Sequence, residues 1–128
     1  MRALARCAAG APRSSARVAL AGPSFEIRET VDGDGALRVA LIGELDIAVA
    51  DAVEQRLRQH REEGRPVRLD LSQLDFIDSS GVQTLVLGLR HARRAGHELE
   101  VDPRVSSAVE RMIDMMGIGG QLWPDPKS

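Results

Sequence analysis

The sequence predicts an α/β fold, a small mixed sheet of four to five strands packed with three to four helices. Three observations carry this: short runs alternate apolar with polar residues, longer runs repeat apolar residues at helical spacing, and the two kinds interleave along the chain. At 128 residues, 43% of them hydrophobic and 28% charged, the chain suits one domain and leaves little room for a second.

Residues 1–23 are mostly Ala, Arg, Ser, Gly and Pro without a sustained period. Too little apolar surface is available there to offset the entropy of ordering, so a disordered tail is expected. The apolar run Val18-Ala19-Leu20-Ala21 is too short for the core of a secretory signal. A folded domain is expected over 24–123, followed by a short tail over 124–128.

From Phe25 the pattern becomes regular. Phe25 and Ile27 alternate with Glu26 and Arg28, and Leu37, Val39 and Leu41 alternate with Arg38 and Ala40, which predicts two strands. Asp32-Gly33-Asp34-Gly35 between them supplies the turn residues of a hairpin. A calcium loop is excluded, because the sixth and twelfth positions counted from Asp32 are Leu37 and Gly43 rather than Gly and Glu. Val49, Ala50, Val53 and Leu57 then predict an amphipathic helix from Ile47 to Glu63, with Gly64 to end it.

Pro66 opens a strand over Val67–Leu71, followed by a short loop through Leu74, Phe76 and Ile77. The next helix starts at Asp78-Ser79-Ser80, and Val82, Leu85, Val86, Leu89 and Ala92 mark its buried stripe up to Gly96. Leu99 and Val101 define a strand that Pro103 stops. A last helix from Arg104 to Met116 places Val105, Ala108, Val109, Met112 and Met116 on one face, leaving Met115 as the contact residue. After Gly117, Gly119 and Gly120, the apolar pair Leu122 and Trp123 leaves room for a short final strand.

Composition excludes several functions. Charges interrupt every apolar stretch well short of the ~18 residues that cross a bilayer, so no membrane insertion is expected. Residues 1–24 hold Arg2, Arg6, Arg13 and Arg17 and no acid. Of the 17 basic and 19 acidic residues, 13 and 19 therefore fall in the remainder, a balance of −6 that disfavours direct nucleic-acid binding. A lone cysteine, Cys7, makes no internal disulfide, as expected of a cytoplasmic protein. His60 and His97 have no metal or triad spacing and read as surface histidines. His91, twelve residues after Ser79 on the same helix, lies roughly 18 Å from it, too far to act as its base. Arg90, Arg93 and Arg94 at a helix C-terminus are accounted for by the dipole.

The chemistry-bearing window is Asp75-Phe76-Ile77-Asp78-Ser79-Ser80-Gly81, which runs from loop into helix. Free backbone N–H groups and the positive end of the helix dipole meet there. Plain N-capping is one reading of its small polar residues, and a modifiable hydroxyl is the other. Asp46, before the first helix, reads as a cap.

From about Phe25 to Trp123 the sequence resembles a STAS domain, and within that family the bacterial anti-sigma-factor antagonists. Three motifs carry the resemblance in order: Gly43-Glu44-Leu45-Asp46, Asp75-Phe76-Ile77-Asp78-Ser79-Ser80-Gly81, and Ile113-Asp114-Met115-Met116-Gly117-Ile118. It implies that Ser79, or alternatively Ser80, is phosphorylated by a partner kinase, with Asp46, Asp78, Ser79, Ser80 and Gly81 in the partner-binding surface. The implied partners are an anti-sigma factor with serine kinase activity, which supplies ATP and Mg, and a serine phosphatase that resets the switch. The chain itself then needs no catalytic residue, metal or cofactor. The family also includes non-switching members, so a scaffold in a stress-sensing complex or a regulatory partner of a lipid-transport ATPase is the second expectation. A hydrolase with Ser79 as nucleophile lacks its Gly-x-Ser-x-Gly setting. The chain departs from the family pattern at Val82-Gln83, where a small or apolar pair is usual.

Overall fold

A computed structural model describes residues 17–22 and 24–123. The elements are β1 (Arg17–Gly22), β2 (Phe25–Val31), β3 (Leu37–Leu45), α1 (Ile47–Glu63), β4 (Val67–Asp70), β5 (Leu74–Ile77), α2 (Ser79–Ala95), β6 (Leu99–Val101), α3 (Ser107–Met116) and α4 (Gly119–Leu122). β1, β2 and β3 are antiparallel, and β4, β5 and β6 join in parallel, which gives the mixed sheet with the order β1-β2-β3-β4-β6. β5 also pairs with β3. It lies beside Gly43–Leu45, whereas β4 lies beside Leu37–Ala40, so β4 and β5 occupy one lane in succession and six strands make five lanes.

The alternation read from the sequence becomes burial on one sheet face. Phe25, Ile27, Leu37, Val39, Leu41, Val67, Leu69 and Val101 join Val49, Val53 and Leu57 of α1 and Val82, Leu85 and Leu89 of α2 in one apolar cluster. Burial of this area is the main stabilising term, at about 25 cal/mol per Å² of apolar surface removed from water. Arg38 and Arg68, at alternate positions of β3 and β4, form an ion-pair network instead. Arg38 reaches Asp32, Asp70 and Asp102 at 3.2–3.4 Å, and Arg68 reaches Asp32 at 2.9 Å and Glu100 at 3.0 Å. This network ties the β2–β3 turn to β4 and β6, at the end of the sheet away from the starts of α1 and α2.

Six expectations are corrected. The tail expected over 1–23 is a strand at Arg17–Gly22, because the edge of β2 offers backbone partners that an unpatterned segment still satisfies. The rest of that tail, and the one over 124–128, lie outside the described residues. The loop expected through Leu74, Phe76 and Ile77 is β5, formed by pairing with β3 some thirty residues earlier. The final strand is instead the short helix α4, and α3 begins at Ser107, capped by the Ser106 hydroxyl, which accepts from the Val109 amide at 3.3 Å.

The buried face of α3 is also rotated from the expected stripe. Val109 and Ile113 are buried, Met112 is half-buried, and Met116 is 41% exposed, while Ile118 and Leu122 beyond Gly117 are buried in the core. Finally, His60 is not a surface histidine but is buried in α1 against Glu29 of β2. The Arg56 Nε and Nη2 groups each donate to that carboxylate at 2.6 Å, and His60 Nε2 lies 2.9 Å from it.

Candidate functional site

β3 and β5 run parallel and finish together, with Leu45 opposite Ile77, so the next residues, Asp46 and Asp78, launch α1 and α2 from the same rim of the sheet. The Asp78 amide donates to the Leu45 carbonyl at 3.2 Å, which fixes one start against the other. Both aspartates are extended in backbone and cap their helices. Asp46 Oδ1 accepts from the Ala48 amide at 3.0 Å, and Asp78 Oδ1 accepts from the Gly81 amide at 2.9 Å. The capping reading thus holds for both, and both are half-buried.

Gly81 is buried for a steric reason. A Cβ at this position would lie 2.8 Å from Leu45 Cγ and 2.9 Å from both Ile77 Cγ1 and the Leu45 carbonyl oxygen. Its absence lets the first turn of α2 settle onto the ends of β3 and β5. That seating turns the other side of the turn outward, where Ser79, the first residue of α2, is exposed while Ser80 is half-buried. The structure therefore brings Asp46, Asp78, Ser79, Ser80 and Gly81 to one rim, with Ser79 the more exposed of the two serines.

Apolar side chains flank this rim. Ile47 follows Asp46 and is 75% exposed, and Phe76, two residues before Asp78, is 48% exposed. On α2, a groove of about 450 Å³ starts at Ser79 and passes Gln83, Leu87 and Arg90, walled on its far side by Met116 and Gln121. No acidic side chain lines it. Sequence reasoning missed this groove. The signal was present, since residues 79, 83, 87 and 90 follow helical spacing on the side of α2 next to its buried stripe. Leu87 and Met116 remain apolar and exposed there. Among the described residues, no cluster of three or more His, Cys, Asp or Glu could hold a metal, and no helix is long and apolar enough to cross a membrane.

Comparison with known proteins places this architecture. Residues 29–124 match the family described as "Mlab, STAS domain". The anti-sigma F factor antagonist of Paenibacillus polymyxa is 33% identical over 86 residues, 66% of this chain and 73% of that protein. The anti-sigma-B factor antagonist of Bacillus subtilis (strain 168) is 24% identical over 82 residues, 64% of this chain and 74% of that protein. Among solved structures, an anti-sigma factor antagonist from Mycobacterium paratuberculosis superposes with a TM-score of 0.64 at 25% identity, covering 84% of this chain and 93% of that one. The Bacillus cell fate determinant SpoIIAA in its phosphorylated form shares the fold, with a TM-score of 0.56 at 21% identity over 77% of this chain and 87% of its own. Three of these four proteins are named as anti-sigma-factor antagonists. On the match across most of its length and the shared fold, the chain belongs to the STAS domain family, among the anti-sigma-factor antagonists.

Proposed function

We propose that the unmodified chain binds an anti-sigma factor that is also a serine kinase, releasing the sigma factor, and that phosphorylation of Ser79 undoes the complex. The observation that supports this is the exposure of Ser79 on a rim whose two aspartates are already engaged in capping, so its hydroxyl is open to a docked enzyme. Ile47 and Phe76 beside the rim, and Leu87 and Met116 along the groove, give the apolar area that a protein partner would cover. In the transfer, Ser79 Oγ attacks the γ-phosphorus of the kinase's ATP, ADP leaves with the electron pair of the broken bond, and the hydroxyl proton passes to a base of the kinase. The chain supplies only the acceptor, and a serine phosphatase restores it. Such a switch operates in the cytoplasm, where ATP and RNA polymerase are found.

The effect on binding follows from charge. A phosphate adds about −1.5 to −2 charges. Burying them in an interface costs about 2 to 4 kcal/mol, roughly 30- to 900-fold in affinity. The test is incorporation of label from ATP by the cognate anti-sigma kinase. Wild type and Ser80→Ala are expected to be labelled, Ser79→Ala is expected to bind the kinase without being labelled, and Ser79→Asp is expected to bind weakly. Labelling of Ser79→Ala at the wild-type level would refute the assignment.

A further inference from the structure

We propose that the Gln83 side chain receives the phosphoryl group placed on Ser79, its carboxamide N–H donating to a phosphoryl oxygen and holding the modified residue over the groove. This deepens the reading of Ser79 as phosphoacceptor and rests on it. Ser79 and Gln83 are four residues apart on α2, both exposed, and both line the same groove. At that spacing Cβ atoms lie about 5–6 Å apart on one helix face. A helical side chain leans toward the N-terminus of its helix, so the Gln83 carboxamide covers the turn that carries Ser79.

Charge directs the phosphate the same way. On one side of Ser79 stands Asp78, whose carboxylate is fixed on the Gly81 amide and repels a second anion. On the other side the groove has no acidic lining, and its nearest polar group along α2 is Gln83. A phosphate on Ser79 therefore turns from the Asp78 rim toward Gln83. An uncharged donor suits a reversible switch, because it orders the phosphate without neutralising the charge that ejects the partner. Gln83 is thus a positioning residue of the modified state.

The experiment installs phosphoserine at position 79 of the full chain by codon reassignment, so no kinase is needed, and follows the phosphorus resonance against pH. A hydrogen bond to the dianion favours it and lowers the second ionisation of the phosphate. Gln83→Ala is expected to raise that midpoint by about 0.2 to 0.4 pH unit, the scale of an exposed i,i+4 contact. Gln83→Glu is expected to raise it further, by about 0.5 pH unit, since a like charge now faces the dianion. In wild type the side-chain amide protons of Gln83 are expected to move downfield on modification. Coincident titrations of wild type and Gln83→Ala, with unmoved amide protons, would overturn the proposal, as would a shift produced by Gln121→Ala in place of Gln83→Ala. Failure of a kinase to label Ser79 would overturn the earlier reading instead, so the two failures are separable. Both glutamine positions are exposed and helical, and circular dichroism checks that the variants stay folded.

Discussion

The polar cluster between β2 and α1 and the polar cluster at the start of α2 are built by opposite means. In the first, Glu29, Arg56 and His60 come together across 27 and 31 residues of sequence, and the Glu29 and His60 side chains are almost completely buried. In the second, Asp78, Ser79 and Gly81 are neighbours, the hydrogen bond runs from side chain to local backbone, and one hydroxyl is left in solvent. The first region spends its polar groups on each other and holds a helix to the sheet. The second satisfies its carboxylate locally and leaves Ser79 uncommitted, which is what a modifiable site requires.

Breaking the first cluster is expected to give the largest effect. Burial pushes the Glu29 carboxyl up, but the hydrogen bonds and charges of Arg56 and His60 outweigh it and lower the pKa from 4.5 to about 2. A carboxyl lowered on folding stabilises the protein above its unfolded value and loses that contribution as pH falls through the folded one. The window is therefore from about 4.5 down to about 2, and the amount is on the order of 3 kcal/mol. Urea denaturation across that range is expected to show the loss in wild type and a flatter profile in Glu29→Gln. At neutral pH, Arg56→Ala is expected to cost about 3 kcal/mol, because it strips the bidentate partner from a buried charge. A cost below about 1 kcal/mol would show the cluster to be no stronger than a surface ion pair.

A smaller effect is expected where the second region meets the core. Gly81→Ala puts a methyl group against Leu45, Ile77 and a backbone oxygen at 2.8–2.9 Å, and the backbone contact is the one that cannot swing aside. A loss of about 1 to 3 kcal/mol in thermal denaturation is expected, with the first turn of α2 lifted from the strand ends. If kinase labelling of Ser79 falls more than stability does, the seating of this turn presents the hydroxyl as well as packing it.

The contrast also explains what was legible in the sequence. The stripes of α1 and α2, the β2–β3 hairpin and both aspartate caps were readable, because each is a pattern of residues a few positions apart. The helix start at Asp78-Ser79 was readable for the same reason, within a run of seven residues, whereas the rim it shares with Asp46 comes from the pairing of β3 with β5. The strands β1 and β5 were not, since they exist through partners on β2 and β3. Nor was the burial of His60, whose acceptor lies 31 residues away, or the rotation of α3, beyond which Ile118 and Leu122 are buried in the core. The α2 side of the groove beyond Ser79 shows in the sequence as helical spacing, but its far wall, Met116 and Gln121, comes from another part of the chain.

The smallest effects test whether the second region is divided as described, between a cap that stabilises and a hydroxyl that does not. Asp78→Ala removes the acceptor of the Gly81 amide and is expected to cost about 1 kcal/mol, as is Asp46→Ala at α1. Ser79→Ala removes only an exposed oxygen at a helix start, and a change within about 0.5 kcal/mol is expected in the same denaturation series. The ordering matters more than either value. If Ser79→Ala were as damaging as Asp78→Ala, the hydroxyl would be part of the helix cap, and phosphorylating it would unfold the first turn. Near-neutrality at Ser79 beside a measurable loss at Asp78 instead means that the chain can gain and lose a phosphate there while the fold stays the same.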